Sequence, residues 1–250
     1  MLEVEQDAGV SVLRLRHGKV NALDLELLHA ITEALAAAGE QTAVVITGSG
    51  SAFSAGVDLQ RVVAGGATYL AEFLPALTAA FLAIFDHPGP VLAAINGHAI
   101  AGGCVIAAAC DVRVMSQGTI GLAELSVGVP FPVAALEIMR HAAGPAASRL
   151  VLTAELFGPA QAQAMGLIHG IEEPGTLLDS VTGQARRMAR IPAGVYAVSK
   201  RQLQQPARDR MAARRGEDAD VLATWSAPAT QAAIAGYLGE LRRRPRAGER

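Results

Sequence analysis

Two glycine-containing segments each follow a short apolar run: FSAGVDL (53–59) comes after AVVIT (43–47), and NGHAIAGG (96–103) comes after VLAAI (91–95). Glycine permits φ > 0 and lets a ligand approach the backbone closely. Gly102 and Gly103 stand where an alanine-rich helical stretch begins. The first amides of a helix have no helical acceptor, and the helix dipole favours negative charge beside them. Two such loops on neighbouring strands could aim two N–H groups at one oxygen, which is how enzymes stabilise an oxyanion as it develops. Either loop alone reads as an ordinary tight turn; the pair points to chemistry.

Other site types fit less well. GSGSAF (48–53) begins like a dinucleotide-binding fingerprint, but Phe53 occupies the third glycine position, and no G-x-x-x-x-G-K-[ST] motif occurs. AFSAG (52–56) resembles a nucleophile elbow with Ala52 in place of the first glycine. Its Ser54 comes seven residues after Thr47 instead of directly after a strand, so a serine hydrolase stays as an alternative only. The six histidines (17, 29, 87, 98, 141 and 169) form no H-x-x-x-H or H-E-x-x-H cluster, and no metal is expected. Cys104 and Cys110 lie on different sides of one helical stretch, so buried free thiols are expected rather than a disulfide.

The elements that must position the glycine loops follow from periodicity. VSVLRL (10–15) alternates like a half-buried strand, while AVVIT and VLAAI are continuous apolar runs typical of strands buried on both faces. Asp24 opens a helix with Leu27, Leu28, Ile31 and Leu35 on one face and Gly39 as its stop. GSGSAFSAGVDL reads as a loop, 68–86 as a helix halted at Pro88, 103–110 as a helix, 111–115 as a strand, and 119–125 as a strand or turn. Beyond Pro130 the pattern is helical: 132–142, 145–153, 159–165, 176–190, 192–203 and about 208–242. Strands alternating with helices, then helices alone, predict an α/β core over 1–190 and a helical region over 191–250. The basic ending RRRPRAGER (242–250) reads as a cation-rich helix end that frays.

Composition narrows the function classes. The 250 residues are 51% apolar and 18% charged with a formal net charge of −2, which suits a folded domain and offers no basic footprint for nucleic acid. The N-terminal stretch MLEVEQDAGVSVLRL is acidic and strand-like, not a signal peptide, and no uninterrupted apolar run predicts a membrane span. A cytoplasmic protein is the expectation.

Four segments in order, FSAGVDL, INGHAIAGGCVIAAACDVRVM, IGLAELSVGV and LTAELFGPAQAQAMGLIHGI, resemble the signature segments of the crotonase superfamily, the enoyl-CoA hydratase/isomerase family. The similarity runs from about residue 4 to residue 203. It implies a spiral of ββα turns with C-terminal helices serving oligomerisation, as a homotrimer or dimer of trimers. It also implies an acyl-CoA thioester substrate and no separate cofactor. Matching segments put the two oxyanion donors at the amides of Val57 and Gly102. The turn HGKVNAL is similar to the segment that cups the adenosine end of CoA, which implicates Lys19, Val20, Ala22 and Leu23. Ala55, Gly56, Asp58 and Leu59 surround the first donor and are placed near the ligand; Asp58 reads equally well as a turn-stabilising residue. Residues 60–86 are expected to shape the acyl pocket.

In the family's hydratases two glutamates hold a water between them. This chain has Glu124 at the second position and Val105 at the first, and valine can neither orient water nor exchange a proton. One carboxylate fits the shift of a double bond from C3 to C2 better than it fits hydration. IGLAELSVGVPFP also resembles the mitochondrial-type Δ3,Δ2-enoyl-CoA isomerases. An apolar acyl pocket would raise the pKa of Glu124, as suits a base working near neutrality. The alternatives are a hydratase with a different second acid, Glu137 being a candidate, and an acyl-CoA binder without turnover.

Overall fold

The structure, a computed structural model, describes residues 1–7, 9–39 and 42–243. The expected frayed tail, from residue 244 onward, lies outside the described residues. A hairpin of β1 (Leu2–Asp7) and β2 (Val10–Leu15) leads through a turn to α1 (Leu25–Ala38), capped by Asp24, whose carboxylate accepts the Leu27 N–H. Three ββα units follow. The first is β3 (Ala43–Thr47), β4 (Ala52–Ser54) and α2 (Leu59–Phe85). The second is β5 (Val91–Ile95), β6 (His98–Ile100) and α3 (Gly102–Ala109). The third is β7 (Val112–Met115), β8 (Ile120–Gly121) and α4 (Glu124–Val127).

The long strands form one sheet in the order β1-β2-β3-β5-β7, parallel from β2 onward. Alternate residues of β3 face opposite sides: Val44 and Ile46 join the main core, Ala43 and Val45 a second apolar layer. That explains why these strands read as continuous apolar runs. The short strands form a second sheet, β4-β6-β8, also parallel.

After α5 (Val133–Ala143) and α6 (Ala147–Thr153), β9 (Leu156–Phe157) pairs antiparallel with β8. Next come α7 (Pro159–Ala164), β10 (Gly170–Ile171), which extends the long sheet beside β7, and α8 (Leu177–Met188), which supplies the second apolar layer. The chain ends in α9 (Ala193–Arg214), α10 (Asp218–Ser226) and α11 (Pro228–Arg243). The architecture is the expected mixed α/β one with C-terminal helices.

Several boundaries differ from expectation. The loop expected over 48–59 contains β4, and α2 starts at Leu59, not near 68, because Asp58 accepts the N–H groups of Gln60 (3.0 Å) and Arg61 (3.1 Å) and caps a new helix. Gly66, at φ 55°, then kinks it. The helix expected over 192–203 continues through Pro206 to Arg214, and the long one expected after 208 is divided, with Pro228 opening its last segment. By length and composition α2 alone among the described helices is long and apolar enough to cross a membrane. Its Leu70, Phe73, Leu77, Phe81 and Ile84 are core residues, which accounts for that composition.

Candidate active site

The second sheet determines what meets at the site. β4 pairs with β6 (Ser54 opposite Ala99) and β6 pairs with β8 (Ile100 opposite Gly121). The residues that follow each strand therefore emerge side by side: Ala55–Asp58, Ala101–Gly102 and Leu122–Glu124. Strands of two and three residues thus bring together three segments far apart in the chain.

Val57 is held by a bridge to Leu23. The Leu23 N–H donates to Gly56 O (2.8 Å) and the Asp58 N–H to Leu23 O (2.9 Å). These bonds flank Val57 and leave its own N–H facing the other way. Asn21, fully buried, anchors the same turn by donating to Ala52 O (2.9 Å) and Phe53 O (3.2 Å). At the second loop Ala101 has φ 53° and ψ −124°, sparsely populated for a residue with a Cβ, and its N–H donates to Gly121 O at 2.9 Å. The turn there makes Gly102 the first residue of α3, where a helical amide has no intrahelical acceptor.

Glu124 opens α4, a single turn closed by Gly128 in the left-handed region. Its carboxyl is buried, and Oε2 has no hydrogen-bond partner among the described residues. Burial raises its pKa from the ordinary 4.5 to about 8, against the opposing pull of the Glu124 and Ala123 amides. A carboxyl group so tuned can take up and release a proton near neutral pH.

Val57, Gly102, Val105 and Glu124 line one small apolar pocket with Phe81, Phe131 and Trp225. It adjoins a cavity of about 440 Å³ that Val57, Glu124 and Trp225 also line, together with Val20, Ala22, Ala55, Asp58 and Leu59. Lys19 is exposed outside both. Leu23 is fully buried beneath Gly102, and Gly56 packs between the donor loops; both shape the site from behind its surface. Asp58 lines the cavity while its carboxylate caps α2, so the turn-stabilising role is the one its hydrogen bonds display. Leu77 and Phe81 come from the 60–86 segment expected to shape the pocket.

Two alternative chemistries lose their residues here. The Ser54 hydroxyl donates to Asn21 O (2.7 Å) and accepts from the Gly56 N–H, so it is occupied in pinning a turn. Glu137, proposed as a second acid, lies on α5 within ion pairs to Arg140 (2.9 Å), Arg210 (2.5 Å) and Arg214 (2.9 Å), away from the Glu124 pocket. Trp225, Tyr237 and Leu238 were not anticipated as wall residues; the chain's single tryptophan, in an otherwise small-residue stretch, was the available signal.

A further cavity of about 370 Å³ lies elsewhere, lined by Asp111, Arg113, His141, His169, Tyr196 and Lys200. Its polar groups are largely spent internally: Asp111 accepts from Val91 N–H, Tyr196 and Lys200, and Arg113 donates to the carbonyls of Leu167 and Cys110. It ties α9 to the sheet. Among the described residues no group of three or more His, Cys, Asp or Glu side chains is placed to hold a metal.

Three parallel ββα turns thus bring two glycine-containing loops and one buried carboxyl group to the same pocket. The chain belongs to the enoyl-CoA hydratase/isomerase family, whose model matches residues 5–243. The crystal structure of human mitochondrial delta3-delta2-enoyl-CoA isomerase superposes with a TM-score of 0.88 at 26% identity, covering 96% of this chain and 98% of that one. Mouse mitochondrial enoyl-CoA delta isomerase 1 is 27% identical over 253 aligned positions, 98% of this chain and 88% of that protein. A crotonyl-CoA hydratase of Syntrophomonas wolfei is 31% identical over 192 positions, 74% of each chain. Both reactions are thus represented among the relatives.

Proposed function

We propose that the protein converts 3-enoyl-CoA into 2-enoyl-CoA, with Glu124 as the proton-transferring group and the amides of Val57 and Gly102 as the oxyanion hole. The thioester oxygen accepts both N–H groups. Glu124 removes a C2 proton, and the electron pair moves into the enolate that the two amides stabilise. Glu124 then returns the proton at C4, leaving the double bond between C2 and C3. No water enters the balance, and the buried Val105 side chain helps exclude it.

The observation that carries this reading is the count of carboxylates. Among the described residues lining the two pockets only Asp58 and Glu124 carry one, and Asp58 is occupied in capping α2. A hydratase needs a second acid to hold its water, and Glu137 is committed to three arginines. The family's hydratase relatives keep hydration as the second reading, and acyl-CoA binding without turnover as the third. Val20, Ala22, Ala55 and Leu59 line the side on which the CoA moiety would enter. The homotrimer or dimer of trimers belongs to the same proposal: α9 leaves Val195, Val198 and Leu203 exposed, apolar side chains that a protomer contact would cover. Sedimentation velocity reads the mass.

The deciding experiment incubates the purified protein separately with a 3-enoyl-CoA and a 2-enoyl-CoA. The isomerase reading expects conversion of the first and little hydration of the second. Rapid hydration of the second would overturn it, and saturable binding with no reaction would favour the binder.

A further inference from the structure

The two lobes that meet at Val57, Glu124 and Trp225 differ in room. The larger holds about 440 Å³ and carries the Val20–Ala22 turn; the smaller, lined by Gly102 and Val105, holds about 10 Å³. With the thioester oxygen on Val57 and Gly102 and the CoA arm along the larger lobe, the acyl chain runs past Glu124 toward the smaller one. This placement rests on the oxyanion-hole reading proposed above.

The walls at the far end are bulky and held. Leu77 and Phe81 project from α2, Ala135 from α5, and Phe131 sits between Pro130 and Pro132. Phe81 is 1% exposed and Trp225 2% exposed, so neither can swing outward into solvent. The Trp225 indole N–H donates to Pro130 O at 2.9 Å, which ties α10 to the proline-flanked segment. Two prolines restrict the backbone there, and the indole hydrogen bond fixes the ring that closes the lobe.

We infer that the protein selects short acyl groups, with Phe131 as the stop behind Glu124 and Trp225 as the wall where the two lobes meet. A lobe with room for no more than about one water-sized probe cannot take further methylenes unless these side chains move.

Saturated acyl-CoAs test this without reaction. Binding of butanoyl-, hexanoyl-, octanoyl- and dodecanoyl-CoA is measured by titration calorimetry on the wild type, Trp225→Ala and Phe131→Ala. In an open apolar pocket each buried methylene tightens binding about fourfold. The wild-type series is expected to stop tightening at hexanoyl-CoA, and the variants to carry the rise to octanoyl-CoA or beyond. Phe131 is half-buried, so its variant keeps the test available if Trp225→Ala does not fold. Fourfold tightening through dodecanoyl-CoA in the wild type overturns the inference, and so does a plateau that no folded variant moves. Turnover of 3-hexenoyl-CoA is scored separately: a plateau that moves in the variants, without turnover, leaves chain selection standing and removes the isomerase reading.

Discussion

Gly56 and Gly102 are in such close approach that a Cβ on Gly56 would stand 3.1 Å from the Gly102 amide nitrogen and 2.7 Å from Ile100 O. The obstruction is backbone together with the Ala101 Cβ, which has no rotamer to move, and Gly56 has φ 83°, so neither contact nor conformation can relax cheaply. A Cβ on Gly102 would meet chiefly the Leu23 Cδ1 atom at 2.8 Å, the far end of a side chain. Gly56→Ala is therefore expected to cost about 1–3 kcal/mol of stability and, by spreading the two donors, about 10²-fold in kcat. Gly102→Ala should do less on both counts. Thermal melts with 3-enoyl-CoA kinetics check this, and equal damage from the two would contradict the account.

Glu124→Gln keeps the shape and removes the proton acceptor. Turnover should fall by about 10²–10⁴-fold. Stability should move the opposite way, because an unpartnered buried carboxylate is costly. The sign follows from linkage. Glu124 holds its proton to about pH 8 in the folded protein and only to about 4.5 when exposed, so between these values rising pH favours the unfolded chain. The melting temperature of Glu124→Gln should exceed that of the wild type by a margin that grows across this window. A margin independent of pH would show that the carboxyl group is not held protonated.

The same group predicts the pH–rate profile. A base that must begin ionised gives kcat/KM rising with pH and levelling above about 8 in the free enzyme, where burial puts Glu124. Measurement with a 3-enoyl-CoA between about pH 6 and pH 10 checks it. A profile already flat at pH 6 would mean that substrate meets a carboxylate of ordinary acidity.

The long strands and α1 were legible because apolar periodicity and the Asp24 cap are local signals. The second sheet was not, apart from the strand or turn expected over 119–125, where β8 lies. β4, β6 and β8 have two or three residues each, too short for any period, and they exist because each pairs with the next unit. The glycines of the donor loops could be read as special, but their meeting depends on that pairing. Asn21 escaped notice because its three donations across to the 49–53 segment are non-local, while the bond it accepts from the His17 N–H reads as part of an ordinary turn. Trp225 escaped because nothing in its own helix signals a wall almost a hundred residues from its Pro130 partner. Glu137 shows the reverse error: a carboxylate at a plausible distance along the chain, turned by its helix toward α9.

That orientation supplies the last prediction. Glu137 is fully buried between three arginines whose outer parts reach solvent. Glu137→Gln removes the counter-charge that Arg140, Arg210 and Arg214 share, leaving Arg214 its pair with Glu217 (2.8 Å). The loss should be roughly 3 kcal/mol, toward the low end for a broken buried ion pair because the arginines remain half-exposed. Since α5 and α9 meet here and not at the Glu124 pocket, kcat measured well below the lowered melting temperature should match the wild type. Single replacement of Arg140 should cost less, because two arginines still hold the carboxylate. The opposite pattern, an unchanged melting temperature with lost turnover, would make Glu137 the second acid and bring hydration back as the preferred reaction.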